Sequence, residues 1–410
     1  MAYPEQISAT DYPILPYAAK PILRGSAVYQ LLGSGLSLAM SKTTDAGVTT
    51  PWPVVGTGPA VSGVASYVTN QFDDGTDIWA VYIHASQTKV SKFLTGSDSW
   101  DTPITGGPFP DASAGGINTA RQIAIAVLSN GDIRLLYSKQ NGFSLCSLYL
   151  STYSAGSWSS GVEVMGRDVD EDAGALNYCL AGVARGAGDR VTVFAATEYG
   201  MAQKTIKSDG SFSGYTRHNW DGTTAPNSGG MNGGTVWGSP INFTRCSQTF
   251  VAFPRGLATE QDINSFSNPR FAPAMFSSLS VDSPLAVTPE ILQGAPFEHS
   301  FSNNSSVSIC QDAVTGAVWM VWSDCSDGSA ATVYAAHSKG LGWSGPVALF
   351  TTSYGVNDTP ETIEASCDNG TMRITYAGNP FNATWYWQGS VTTDAAGCSS
   401  TAVTRKGGAI

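Results

Sequence analysis

The residues able to do chemistry in this 410-residue chain are few. It holds four histidines, 21 lysines and arginines together, and no close C-x-x-C pair or other compact metal-ligand motif. A histidine, a tyrosine and a group of arginines without a metal site are the components of β-elimination from a uronic acid. Arginine neutralises the C6 carboxylate and so acidifies the C5 proton, a base removes that proton, and the same base or a tyrosine protonates the oxygen leaving C4. Imidazole suits the base because it titrates near neutrality. His84, in VYIHAS, is the expected base and acid, with Tyr149 or Tyr153 assisting protonation. Arg121, Arg167, Arg217, His218, Arg255 and His299 are the expected substrate-binding groups, suited to a carboxylate by bidentate contact. The acidic run Asp168, Asp170 and Glu171 reads as a solvated face, and no metal or cofactor is expected.

These residues converge only if the chain builds a rigid frame around them, and the frame is legible as an internal repeat. One unit runs from Gln122 to Val164: QIAIAVL-SNGD-IRLLYS-KQNG-FSLCSLYLS-TYSAGS-WSSGVEV, four short alternating runs separated by turns. Variants start near Val64 and Cys179, and further units are carried by FTRCSQT-FVAFPR, VSICQDAVTG-AVWMVWS and TIEASCDNG-TMRITYA. The opening segment SAVYQLL-GSG-LSLAMS reads as the outer strands of a further unit. With the turn before the second strand as anchor, the units fall near positions 25, 75, 131, 188, 247, 316 and 370. The step averages about 58 residues, in the range of propeller repeats. The expectation is an all-β chain forming one domain over residues 1–410: a seven-bladed β-propeller of four-stranded antiparallel blades, six blades being the alternative. Closure is expected through N-terminal strands sharing a blade with the C-terminal segment.

A tryptophan recurs in SDSWDTP, AGSWSSG and LGWSGP, at positions 100, 158 and 343. Its place between the third and fourth runs suits packing between blades. The second strands then rise to the opposite face, where loops set on a rigid scaffold carry function. Aligning those strands superposes Tyr82, Tyr137, Phe194, Trp322 and Tyr376, a ring of aromatics suited to interblade packing. Two residues on, at the strand ends, come His84, Lys139, Ala196, Asp324 and Gly378, which diverge. His84 and Arg255 are the rim groups best able to act on a bound anion. The loops entering the first strands carry Arg121, Arg167, Arg217, His218, His299 and Glu361 to the same face, whereas His337 falls in a third strand and reads as structural.

Composition narrows the partners. Charged residues make up only 13% of the chain and the formal net charge is −11, which disfavours nucleic acid. No apolar run approaches the length of a membrane helix, and the N-terminal sequence lacks the cationic and apolar regions of a signal peptide. Six sequons, at Asn242, Asn303, Asn304, Asn357, Asn369 and Asn382, permit glycosylation and so a secreted mature form. Seven cysteines leave at least one without an intrachain partner. The expected partner is an acidic carbohydrate met by a monomer, without nucleic acid or membrane.

The tryptophan turns resemble a degenerate Asp-box of sialidase-like propellers. The His, Tyr and Arg set on repeated strands resembles the β-propeller polysaccharide lyases, above all the fungal type that removes rhamnose caps from glucuronate. That resemblance implies His84 as base and acid and Arg121, Arg167 and Arg217 as holders of the carboxylate. Two alternatives stand beside it. A sialidase-like exo-glycosidase would use an arginine triad, for which K-P-I-L-R at 20–24 is a distant echo of the early arginine motif. A lectin or adhesin without catalysis would repeat its ligand residues, as Arg134 and Arg373 and the three tryptophans do.

Overall fold

The computed structural model describes residues 5–8, 19–34, 37–44, 52–60, 70–85, 87–108, 123–140, 146–166, 179–196, 200–214, 216–219, 241–245, 248–258, 271–278, 290–291, 307–312, 314–324, 332–338, 343–351, 360–378 and 384–392. Strands dominate them, and they join into small antiparallel sheets of four or five strands, seven among the described residues. Sheet 1 comprises Ile22–Arg24, Ala27–Ser34, Ser37–Thr43 and Val54–Ala60. Sheet 2 comprises Asn70–Asp73, Ile78–His84 and Gln87–Leu94, with Ser99–Trp100 and Ile104–Gly107 both paired to the third strand. Sheet 3 repeats that pattern with Ile123–Val127, Ile133–Gln140, Cys146–Ser154, Ser157–Trp158 and Val162–Met165. Sheet 4 holds Cys179–Arg185, Val191–Ala196, Gly200–Ile206 and Thr216–Asn219, and sheet 5 holds Ile241–Arg245, Gln248–Ala258, Phe271–Ser278 and Glu290–Ile291. Sheet 6 holds Val307–Gln311, Val318–Asp324, Thr332–Ser338 and Val347–Thr351. Sheet 7 joins the chain ends: Pro360–Asp368, Thr371–Gly378 and Thr384–Ser390 are completed by Glu5–Ser8. No helix among the described residues is long and apolar enough to cross a membrane.

The turn from first to second strand falls at each sequence anchor. Six of these turns contain a glycine in the left-handed region: Gly25, Gly75, Gly131, Gly188, Gly316 and Gly370, with φ between 59° and 95°. An L side chain there would be strained. The second strands are near-continuous apolar runs because each sheet is covered on both faces. In Ile78–His84 every residue before His84 is buried. Ile78, Ala80 and Tyr82 pack on sheet 1, while Trp79, Val81 and Ile83 pack on sheet 3. Burying each large side chain contributes about 1.5–3 kcal/mol. Similar clusters join sheets 3 and 4 and sheets 6 and 7, a smaller one joins sheet 1 to Tyr386 of sheet 7, and strand contacts link sheets 4 and 5 and sheets 5 and 6.

Three expectations need correction. Residues 22–60 form a complete four-stranded sheet rather than the outer part of a shared unit, and the strand that joins the C-terminal sheet is Glu5–Ser8. Tyr82, Tyr137, Trp322 and Tyr376 are buried at the seams, as the aligned second strands require. Phe194 is buried too, but Val191, Val193 and Ala195 are the residues that meet sheet 3, which puts Phe194 on the other face. The cause is local: both Gly188 and Asp189 are left-handed in the preceding turn, and a one-residue shift moves a strand's side chains to opposite faces. Finally, Arg217 and His218 lie in the fourth strand of sheet 4, opposite Ala202 and Met201, rather than in a loop.

Candidate functional site

The tryptophan turns mark one end of the sheets and the ends of the second strands mark the other. Trp100 Nε1–H donates to Gly56 O at 3.1 Å and Trp158 Nε1–H to Thr105 O at 3.0 Å, so each indole ties its sheet to the fourth strand of the preceding one. The repeated tryptophan is structural there. The repeated arginine is structural at Arg134, whose buried guanidinium donates to Asp189 O, Ile206 O, Lys207 O and Ser208 O of sheet 4 at 2.6–3.2 Å. Arg24, the echo of a sialidase arginine, is bonded to Asp73 and Leu23 O beside the turn that ends its strand. Arg185 and Arg190 flank the corresponding turn of sheet 4, and Arg373 is the third residue of its second strand. Arg24, Arg134, Arg185, Arg190 and Arg373 thus lie away from the rim where second strands end.

That rim is where His84 stands. It closes its strand opposite Gln87 across a tight turn in which Ala85 is left-handed, φ 51°. Its face is that of Ile78, Ala80 and Tyr82, towards sheet 1. Below it, Tyr82 is fully buried with its hydroxyl 3.0 Å from Ser91 Oγ, and burial raises the phenol above its ordinary pKa. His84 itself is half-buried, and its Nδ1 is covered and without a hydrogen-bond partner.

The same relative position in sheet 3 holds Lys139, two residues beyond Tyr137 and exposed. Its ammonium stands over the ring of Tyr149 at 5.4 Å. Tyr149 is half-buried in the third strand, directly opposite Tyr137 and beside Glu163 of the fourth, with the two tyrosine rings 5.9 Å apart. Burial first, and then the neighbouring Tyr149, raises the phenol of Tyr137 above its ordinary range. Sequence alignment put Lys139 at the rim without giving it a role. The signal was present: it follows Tyr137 as His84 follows Tyr82.

The other expected groups are scattered. Tyr153 lies at the far end of the same strand as Tyr149, paired with Ile133 and against the Trp158 ring, four residues and so about 13 Å further along. Arg255 lies in the second strand of sheet 5 opposite Ala274, inside the strand rather than at its end, which is Ala258. Arg217 and His218 occupy an outer strand that runs towards the rim end of sheet 4. Arg121, Arg167 and His299 lie outside the described residues, as do Asp168, Asp170 and Glu171. His337 is buried, its ring 4.7 Å from that of Trp319. Among the described residues no three His, Cys, Asp or Glu side chains gather to hold a metal.

No protein-family model matches the chain, and no curated protein matches it by sequence. Solved structures do resemble it. An ulvan lyase of a new polysaccharide lyase family, PL25, superposes with a TM-score of 0.50 at 12% identity, over 95% of this chain and 95% of that one. The polysaccharide lyase Uly1 gives 0.48 at 9% identity over 92% and 91% of the two chains. The Hadza microbial sialidase Hz136 gives 0.43 at 11% identity over 87% and 74%. At these identities the likeness is one of architecture: the chain shares the ulvan lyase's arrangement of small antiparallel sheets across nearly its whole length.

Proposed function

We propose that the protein is a polysaccharide lyase that cleaves next to a uronic acid, glucuronate being the expected sugar, by β-elimination. In this reading the seven sheets are the blades of one propeller, closed by Glu5–Ser8, and the substrate lies across the rim of second-strand ends. The observation that carries it is the placement of His84: a half-buried imidazole at a strand end, with Nδ1 covered and without a hydrogen-bond partner. The architecture shared with an ulvan lyase supports it, although fold alone does not fix chemistry.

His84 Nε2 would take the C5 proton and return it to the departing C4 oxygen. Lys139 would hold a carboxylate on the neighbouring seam, since packed sheets lie about 10 Å apart, the reach of a short oligosaccharide. Tyr149, under that ammonium, would steady the cation and offer a ring edge to the sugar. Arg255, in the second strand of sheet 5, and Arg121, Arg167 and Arg217 complete the basic set this reading requires. The lectin alternative loses ground because its repeated residues are occupied elsewhere, Arg134 by carbonyls and Trp100 and Trp158 by neighbouring strands.

The test is to incubate the protein with glucuronate-containing polysaccharides and follow the ultraviolet absorbance of the unsaturated uronate product. Activity in the wild type and its loss in a folded His84→Ala variant are expected. Retained turnover in that variant would remove His84 from the mechanism. Binding of several sugar equivalents per chain, with no unsaturated product, would replace the lyase by a lectin.

A further inference from the structure

The seam between sheets 7 and 1 differs from its neighbours. Its apolar cluster comprises only Val28, Leu32, Ala39, Trp52 and Tyr386, with Leu23 at its edge. Strand alternation adds polar side chains from both sides. Ile363, Ala365, Met372 and Ile374 pack in the cluster shared with sheet 6, so Ser366, Arg373 and Thr375 face sheet 1. From sheet 1, Gln30 and Ser41, directly opposite each other, share the face of Val28 and Leu32. The two sides meet at one atom: Gln30 Nε2–H and the Thr375 hydroxyl both donate to Ala19 O, at 2.8 and 2.6 Å.

Four polar atoms in this seam are buried and have no hydrogen-bond partner: Gln30 Oε1, Ser41 Oγ, Ser366 Oγ and Arg373 Nε. They form two pairs, Ser366 opposite Arg373 and Gln30 opposite Ser41, linked through Thr375, which shares Ala19 O with Gln30 and lies two residues, about 7 Å, from Arg373. Arg373 is 8% exposed and forms no ion pair among the described residues, and its one hydrogen bond, Nη1–H to Thr371 O, is long at 3.5 Å. Arg134 occupies the same place in sheet 3 and satisfies its guanidinium with four carbonyls. A buried cation without compensation is costly, and the seam offers donors of the kind an anion accepts from.

We propose that the seam between sheets 7 and 1 binds a small inorganic anion of the halide class, held by Arg373 Nε and the Ser366 hydroxyl. Its hydration water donates to Gln30 Oε1 and accepts from Ser41. The ion must be small because Gln30 and Ser41 are fully buried. The net charge of −11 disfavours general anion adsorption, which makes a selective response informative.

Thermal unfolding of the full chain in sodium chloride and in sodium gluconate, at equal ionic strength, tests this. Chloride should raise the midpoint by about 1–3 °C, the size expected for a ligand well above its dissociation constant in a chain this long. Arg373→Met and Ser366→Ala should lose that difference, and Arg134→Met should keep it. Equal midpoints in the two salts, or the same difference in all variants, would overturn the site. If Arg373→Met does not fold, crystals soaked in sodium bromide decide: an anomalous peak beside Arg373 supports the proposal, and a protein carbonyl or water there ends it.

Discussion

Replacing Arg134 by methionine separates the lyase and lectin readings and can be given a size. The side chain is 3% exposed, and its four acceptors all belong to the turns and third strand of sheet 4. Burial pulls the guanidinium below its ordinary pKa, while Asp189, Asp209 and Asp132 push it back, so it stays charged. Hydrogen bonds from a charged donor contribute about 1.5–3 kcal/mol each, and an orphaned buried carbonyl costs about 1–3 kcal/mol. Only Ile206 O is fully buried; the other three carbonyls regain water when the arginine is removed. Because bonds made by one group do not add, the expected loss is about 3–5 kcal/mol, as for a broken buried ionic contact. Urea unfolding followed by tryptophan fluorescence measures it, with the midpoint falling and the slope unchanged. A loss below about 1 kcal/mol, accompanied by weakened carbohydrate binding, would make Arg134 a ligand residue and refute the clamp.

Two further outcomes follow from buried ionisable groups. Asp312 accepts from Val314 N, Thr315 N and Gly370 N and from the Cys367 thiol, joining sheets 6 and 7. Burial alone would raise its pKa, but those donors outweigh it and hold the carboxyl below the ordinary value of 3.8. Its contribution to stability is therefore complete above the unfolded value and is lost as pH falls through the folded one, so Asp312→Asn should flatten the fall in urea midpoint between about pH 5 and pH 3; parallel curves would discard the assignment. Cys310 and Cys367 are buried free thiols, burial pushing Cys310 up to about 12 and Cys367 higher still. Neither should react with a maleimide at neutral pH until the protein unfolds, and mass spectrometry showing rapid labelling of the native chain would contradict that burial.

Much of the frame was readable because turns and seams make residue-specific demands. A left-handed turn wants glycine, and six of the seven first turns supply one, which is why the anchors fell where the strands change direction. The tryptophan turns were readable for a similar reason. In sheet 1 the fourth strand is Val54–Ala60, although Gly56, Gly58 and Pro59 give it little strand character in the sequence. Its glycines are there for Trp100: a Cβ on Gly58 would stand 2.8–2.9 Å from the indole. Arg217 and His218 were misplaced because Thr216–Asn219 is short, polar and without alternation. The register of sheet 4 slipped on two successive left-handed residues, a backbone event that Gly188 announces and Asp189 does not. Of the site, the rim position of His84 followed from counting. The covered Nδ1 and the ammonium of Lys139 over Tyr149 did not, because both depend on contacts between strands that sequence spacing cannot supply.

The pairing of Glu5–Ser8 with Thr384–Ser390 has a consequence for how the chain is made. A ribosome releases Glu5–Ser8 long before Thr384–Ser390, so this contact waits on every intervening sheet. Until then the exposed backbone of Thr384–Ser390 is an open β-edge, able to recruit a strand from another nascent copy. A circular permutant that links Thr384–Ser390 directly to Glu5–Ser8 and opens the chain between two other sheets would shorten that wait and should refold with less aggregation.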